Sequence, residues 1–184
     1  MKDTIVVNLI AAPSAGKSTL MADIFSKLKW QNIDCEMVTE FAKELVWEDR
    51  KETFKDEIYI FAKQSHRLFR VNGKVDVIIT DRPLILTMLY NNKYGKKSKS
   101  LDRLVLEEFN SYTNLNYFVQ RDKPYHQNGR NQTEQESNQI AKELKVILDE
   151  NKILYEEVKG VPETADYIVE YVKTYLLNDN TEFR

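Results

Sequence analysis

"NLIAAPSAGKSTL", residues 8–20, decides the fold. An apolar, β-branched run, "TIVVNLI" (4–10), feeds a turn of small residues, and Gly16-Lys17-Ser18-Thr19 then opens an amphipathic segment. Residues 11–18, "AAPSAGKS", follow the spacing of a phosphate-binding loop, with Ala11 in the first glycine position. Such a loop needs small residues so that backbone N–H groups can converge on phosphate oxygens. A helix N-terminus adds partial positive charge. A lysine reaches the terminal phosphates and a hydroxyl helps to hold Mg²⁺. Lys17 and Ser18 stand where those two roles are filled, and the strand before and helix after are the context the motif requires. Ser14, Ala15, Gly16, Lys17, Ser18 and Thr19 are therefore the residues expected to hold ATP, with Ser18 also a metal ligand.

Outward from this loop, strand and helix patterns alternate. The periodicity predicts helices over 17–31, 40–48, 55–71, 83–91, 101–112, 134–150 and 163–177. It predicts strands over 4–10, 35–39, 75–80, 115–120 and 153–158, the last being "ILYEEV". Pro83 suits the first turn of its helix, and Thr133 with Glu136 reads as a capping box. No repeat or long linker divides the 184 residues, so one α/β domain is expected, spanning 1–184. Its sheet is expected to be parallel, five-stranded, in the order 2-3-1-4-5 of a P-loop NTPase three-layer fold, with a small lid loop at 121–132.

Composition narrows the function classes. At 42% apolar and 30% charged residues the chain has the makings of a packed core. A net charge of −2 gives no global pull toward nucleic acid or membrane. One cysteine, Cys35, and two histidines argue against an internal disulfide and a protein-caged metal, and Cys35 reads as a core residue. No run approaches ~20 apolar residues, and no leader is evident, so a cytoplasmic location and no membrane partner are expected.

Ligands of an open parallel sheet gather at the carboxyl ends of its strands. Those ends carry Glu40 after strand two, Asp81-Arg82 after strand three and Arg121-Asp122-Lys123 after strand four. Asp81 is placed to hold Mg²⁺, Arg82 to neutralise phosphoryl charge, and Glu40 to take a proton from an acceptor hydroxyl. Arg121, Lys123 and Arg130 flank or lie in the polar loop "RDKPYHQNGRNQT", which Gly129 lets bend over the phosphates. Arg121 is expected on ATP and Arg130 in catalysis. Gln64 carries a paired donor and acceptor near Tyr59 and Phe61; it is read as an acceptor-binding amide, against the plainer reading of a solvated helix glutamine.

The segments "AAPSAGKST", "TEFAKEL", "YIFAKQ", "IITDRP" and "KPYHQNGR" occur in this order, and through them the chain resembles the nicotinamide riboside kinase-like P-loop family. Phage-type nucleotide kinases and ATPases look similar. The resemblance covers about residues 4–158 and implies ATP and Mg²⁺ as cofactors. It supports Lys17, Ser18, Glu40, Asp81, Gln64 and Arg130 in the roles above and adds Lys43 to the acceptor-binding set. Glu40 and Asp81-Arg82 also look like the base and acid-Arg pair of deoxynucleoside kinases. Two positions depart from the riboside kinase pattern: Lys43 stands where arginine is usual, and Asn128 where the lid tends to carry aspartate.

The reading is an ATP- and Mg²⁺-dependent kinase acting on a nucleoside-like or nucleotide acceptor, with a homodimer left open. Two alternatives stand beside it. Lys93, Lys96, Lys97, Lys99 and Arg103 suggest a DNA-facing loop, hence a kinase of hydroxymethylated bases in DNA. A P-loop ATPase switch or interaction module would use the same phosphate loop without an acceptor.

Overall fold

The computed structural model describes residues 3–126 and 132–179. Gly129 and Arg130, the expected lid residues, lie outside them. Five parallel strands form one sheet in the order β2-β3-β1-β4-β5. They are β1 (Ile5–Ile10), β2 (Cys35–Val38), β3 (Val77–Thr80), β4 (Thr113–Gln120) and β5 (Glu156–Lys159). The helices are α1 (Lys17–Trp30), α2 (Phe41–Trp47), α3 (Glu57–Phe69), α4 (Leu86–Lys93), α5 (Lys99–Asn110), α6 (Glu134–Glu150) and α7 (Pro162–Asp179). The expected order and the parallel sense both hold.

β1 is buried along its whole length because helices cover both faces of the sheet. Its alternating side chains split between two cores. Val6 and Ile10 join Ile78, Phe118 and the apolar sides of α4, α5 and α6. Ile5, Val7 and Leu9 join Val77, Ile79 and Tyr117 under α1 and α7, whose contributions include Leu20, Ile24, Leu28, Ile168 and Val172. Truncating a fully buried leucine such as Leu28 to alanine would cost about 2–5 kcal/mol. Cys35 is a fully buried core residue, and burial pushes its thiol up to about 11.

Three expectations shift. The fifth strand is Glu156–Lys159, not 153–158. The apolar residues that suggested the earlier start lie outside the ladder: Ile153 plugs the core beside Leu148, Tyr155 packs on Phe118, and Leu154 is exposed. The strand itself is Glu-Glu-Val-Lys at the sheet edge, where charge discourages further pairing. α4 begins at Leu86; the residues from Pro83 lead in through tighter i→i+3 hydrogen bonds, from Leu86 N to Pro83 O and from Thr87 N to Leu84 O. A 3₁₀ turn over Lys51–Lys55, absent from the sequence reading, links α2 to α3. The predicted capping box of α6 is present, with Thr133 and Glu136 each bonding the other's backbone.

Among the described residues, no helix is long and apolar enough to cross a membrane.

Candidate active site

A cavity of about 670 Å³ opens at the carboxyl ends of β1, β2 and β3. Its two ends are built differently. One is the loop between β1 and α1. Ser14 and Gly16 hold positive φ there, 67° and 90°, a conformation that glycine adopts freely and serine only at some cost. Gly160, between β5 and α7, lets that segment press on the loop: a Cβ on it would come within 2.4 Å of the Ala15 carbonyl oxygen. Ser137 of α6 donates to Pro13 O at 2.7 Å, and the His126 N–H donates to Ser14 Oγ at 3.1 Å. The loop is thus gripped from three sides. Lys17 folds its ammonium onto the carbonyls of Ala11 and Ala12, at 3.0 and 3.1 Å. Ser14, Ala15, Gly16, Lys17, Ser18 and Thr19 all line the cavity.

Asp81 joins the two ends. Its Oδ2 accepts from the Ser18 hydroxyl at 2.5 Å, and its Oδ1 accepts from the Glu40 N–H at 3.0 Å. Asp81 and Arg82 are both buried although they end a strand. Thr80 steers them: its hydroxyl donates to Val38 O and accepts from Arg82 N, tying the end of β3 to β2. The pair of oxygens from Ser18 and Asp81 suits a hard divalent cation that keeps water and phosphate among its ligands.

Side chains from several elements make the other end. The Arg82 guanidinium lies 4.4 Å from the centre of the Tyr90 ring. It faces Glu40 Oε1 at 3.6 Å and Glu57 Oε2 at 3.9 Å. Trp47, Phe54, Leu86 and Tyr94 add apolar and aromatic wall, while Lys43 and Lys51 are exposed at the margin. Tyr90 and Tyr94 stack with ring centres 6.0 Å apart. Burial raises the Tyr90 phenol far above its ordinary range, so it is neutral.

The structure departs from the sequence reading at Gln64 and places Arg121 beside a second cavity. Gln64 is neither solvated nor open to an acceptor. It is 1% exposed, accepts from Phe41 N at 3.0 Å and donates to Thr39 O at 3.3 Å. Arg67 adds a bond to Thr39 O and an ion pair to Glu44, so α3 clamps the turn that presents Glu40. Arg121 does not line the main cavity. It is held on α6 by Glu134 and Asn138, both at 2.8 Å, and stacks on Tyr125 beside a second, smaller cavity. Several cavity residues were missed, among them Glu57 and Tyr90. Glu57 had a signal: it falls in the 57-60-61-64-68 row that forms the buried face of α3, where a glutamate has no ordinary place. Lys93 of the basic segment pairs with Glu143 at 2.9 Å.

The family described as an AAA domain, AAA_28, matches residues 6–164. No curated protein sequence matches at a significant level. Among solved structures, the NadR protein in complex with NR aligns over 93% of this chain with a TM-score of 0.68 and 17% identity. The chain spans 52% of that protein's length. Deoxyadenosine kinase from M. mycoides aligns over 94% of this chain and 99% of its own, with a TM-score of 0.52 and 18% identity. Thymidylate kinase from Candida albicans aligns over 95% and 92%, with a TM-score of 0.60 and 14% identity. At these identities the likeness is one of fold: an α/β P-loop fold shared with nucleoside and nucleotide kinases.

Proposed function

As the chain belongs to the AAA_28 family of AAA domains, with a P-loop kinase fold, we propose that it transfers the γ-phosphoryl group of ATP to a nucleoside-like or nucleotide acceptor, with Mg²⁺. The observation that carries this reading is Asp81. One carboxylate bonds the Ser18 hydroxyl of the phosphate loop and the backbone of Glu40, and Arg82 follows it directly. A nucleotide switch needs the first link; the second, to the backbone N–H of Glu40, holds that residue's turn beside the phosphate loop, as an acceptor site would require.

The loop N–H groups and the α1 N-terminus would hold the β- and γ-phosphates, and Lys17 would leave the Ala11 and Ala12 carbonyls to neutralise them. Ser18 and Asp81 would hold Mg²⁺, which when bound draws charge from the phosphates. Glu40 would accept the proton of an acceptor hydroxyl as the acceptor O–P bond forms and the bond to ADP breaks. Arg82 would offset charge on the moving phosphoryl group. Catalysis here is positioning and charge compensation. Lys43 would meet the acceptor at the cavity margin. Arg130 would act in catalysis from the loop, and Arg121, held by Glu134 and Asn138, would meet ATP from beside the phosphate loop.

A transfer screen with γ-labelled ATP tests this, over nucleosides and nucleoside monophosphates. Label in an organic phosphate is the expected result; label only in inorganic phosphate would return the chain to the ATPase class.

A further inference from the structure

The segment from Lys93 to Arg103 runs from the end of α4 into α5 and takes no part in the chemistry above, yet it concentrates charge of one sign. It holds five cations and one carboxylate, Asp102, in a protein of net charge −2. Lys93 is used internally, paired with Glu143 of α6 at 2.9 Å. Lys96, Lys97, Lys99 and Arg103 are exposed, and none of the four makes an ion pair with any described residue.

These cations do not hang from a loose loop. Asn91, 1% exposed, donates to Ser98 O at 3.0 Å and to Asp102 Oδ1 at 2.9 Å, and its Oδ1 accepts from Ser98 N at 3.2 Å. Its carbonyl accepts from Lys97 N at 3.2 Å, and a Cβ on Gly95 would come within 3.0 Å of the Asn91 backbone. The one carboxylate is bound into this scaffold, and the lysines are displayed. Two local preferences yield to that display. Lys97 holds φ at 53°, a left-handed conformation that glycine or asparagine adopts with less strain. Lys99 opens α5, where a helix N-terminus favours negative charge. Local conflicts of this kind gather at functional sites.

The turn also starts inside the cavity. Tyr94 lines the cavity and stacks on Tyr90, yet is 42% exposed. Lys96 and Lys97 follow it by two and three residues, so their Cα atoms lie within about 11 Å of the Tyr94 Cα. A free nucleoside brings no charge for four exposed cations to meet, whereas a phosphodiester strand brings one per nucleotide. Aromatic rings beside a row of cations hold single-stranded nucleic acid, since bases stack on the rings and phosphates meet the charge. A base inside a duplex would first have to be extruded.

We infer that Lys96, Lys97, Lys99 and Arg103 form a docking surface for the phosphodiester backbone of a single-stranded nucleic acid, one nucleoside of which enters the cavity past Tyr94 as the phosphoryl acceptor. This rests on the kinase reading above and names its substrate class. The step is unchanged: a hydroxyl oxygen of that nucleoside forms the bond to the γ-phosphorus, ADP leaves, and Glu40 takes the proton.

The experiment uses the full chain and a 3′-fluorescein single-stranded oligonucleotide of about 12 nucleotides, in DNA and RNA forms. Anisotropy gives its affinity, and γ-labelled ATP gives transfer to the strand and to a free nucleoside. Four phosphate contacts predict a log–log salt slope near about −3, an affinity loss of about 50-fold from about 50 to 200 mM NaCl. The variant Lys96→Ser, Lys97→Asn, Lys99→Ser, Arg103→Ser should flatten the slope and raise the KM of the strand about 10-fold or more, with kcat and KM for the free nucleoside within twofold. Arginine at 96, 97 and 99 should bind as the wild type does. If the fourfold variant does not fold, Lys96→Ser with Lys99→Ser takes its place and should halve the slope. Transfer to a DNA or RNA strand supports the inference and identifies its sugar. Transfer to the free nucleoside with no binding of either strand would overturn it and leave the kinase reading standing. Transfer to nothing, with ATP hydrolysed, would overturn both. Binding that ignores salt or survives the fourfold substitution, or better transfer to a duplex, would equally overturn it.

Discussion

The two ends of the cavity solve opposite electrostatic problems. The loop of residues 11–18 offers backbone N–H groups, a helix N-terminus and the Lys17 ammonium, all of one sign. It is suited to an anion whatever that anion carries. The proposed acceptor end sets Arg82 between Glu40 and Glu57, with the rings of Trp47, Phe54, Tyr90 and Tyr94 along its wall. Here one guanidinium faces two carboxylates, so this end does not carry charge of a single sign. Asp81 is the bridge between them, bonding Ser18 on one side and the Glu40 N–H on the other. On the proposed reading, affinity for phosphate would reside in contiguous backbone, and selectivity in side chains from separate elements.

Substitutions at each end can break that division. The largest effect belongs to the phosphate end. Lys17→Ala is expected to lower transfer by more than about 10³-fold with the fold kept, its contacts to the Ala11 and Ala12 carbonyls being among those lost. Near-normal turnover in a folded variant, judged by circular dichroism, would end the phosphate-loop assignment. Next comes Glu40→Gln. With a hydroxyl acceptor it should cost about 10²–10⁴ in kcat with little change in KM. An unchanged kcat would mean that the proton leaves by another route.

Gln64→Ala tests whether the acceptor end depends on its scaffold. It strips a buried N–H of Phe41 of its partner, while Thr39 O keeps its bond from Arg67, at a cost of about 1–3 kcal/mol. Thermal unfolding should fall by several degrees, and kcat should fall while ATP affinity holds. A variant as stable and active as the wild type would show that the Glu40 turn needs no clamp.

The smallest effect is a gain. Burial, with help from Asp56 and Glu40 and against the pull of Arg82, raises Glu57 from its usual 4.5 to about 7. Between those two pH values the folded chain holds a proton that the unfolded chain releases. Stability from this group therefore falls as pH rises from 4.5 toward 7, and the full penalty applies above 7. Glu57→Gln should raise stability at pH 8 by on the order of 2 kcal/mol and at pH 4 by almost nothing. Urea unfolding at the two pH values measures it. A loss of stability at pH 8 would make Glu57 a structural residue.

This division also explains what could be read in advance. The phosphate loop is local, so residues 11–19 could be found from spacing alone, and the parallel order followed from alternation of buried strands with helices. Asp81, Arg82 and Glu40 were legible because strand ends face the ligand side of such a sheet. Gln64 was not: its partners are backbone groups of Thr39 and Phe41, more than twenty positions away, and sequence does not display who bonds a peptide group. Tyr90 needed the fold to bring α4 beneath Arg82. Glu57 was half legible, since its place on the apolar row of α3 marked it as buried but not what it faced. The fifth strand slipped because Ile153 and Tyr155 are core residues without being ladder residues.

The central claim is that the two ends act on one phosphoryl group. Phosphorus NMR of a reaction containing ATP, Mg²⁺ and an unphosphorylated nucleoside acceptor tests it most directly. The account expects a phosphomonoester resonance to grow in step with ADP, one for one; ADP accumulating with inorganic phosphate alone would contradict it.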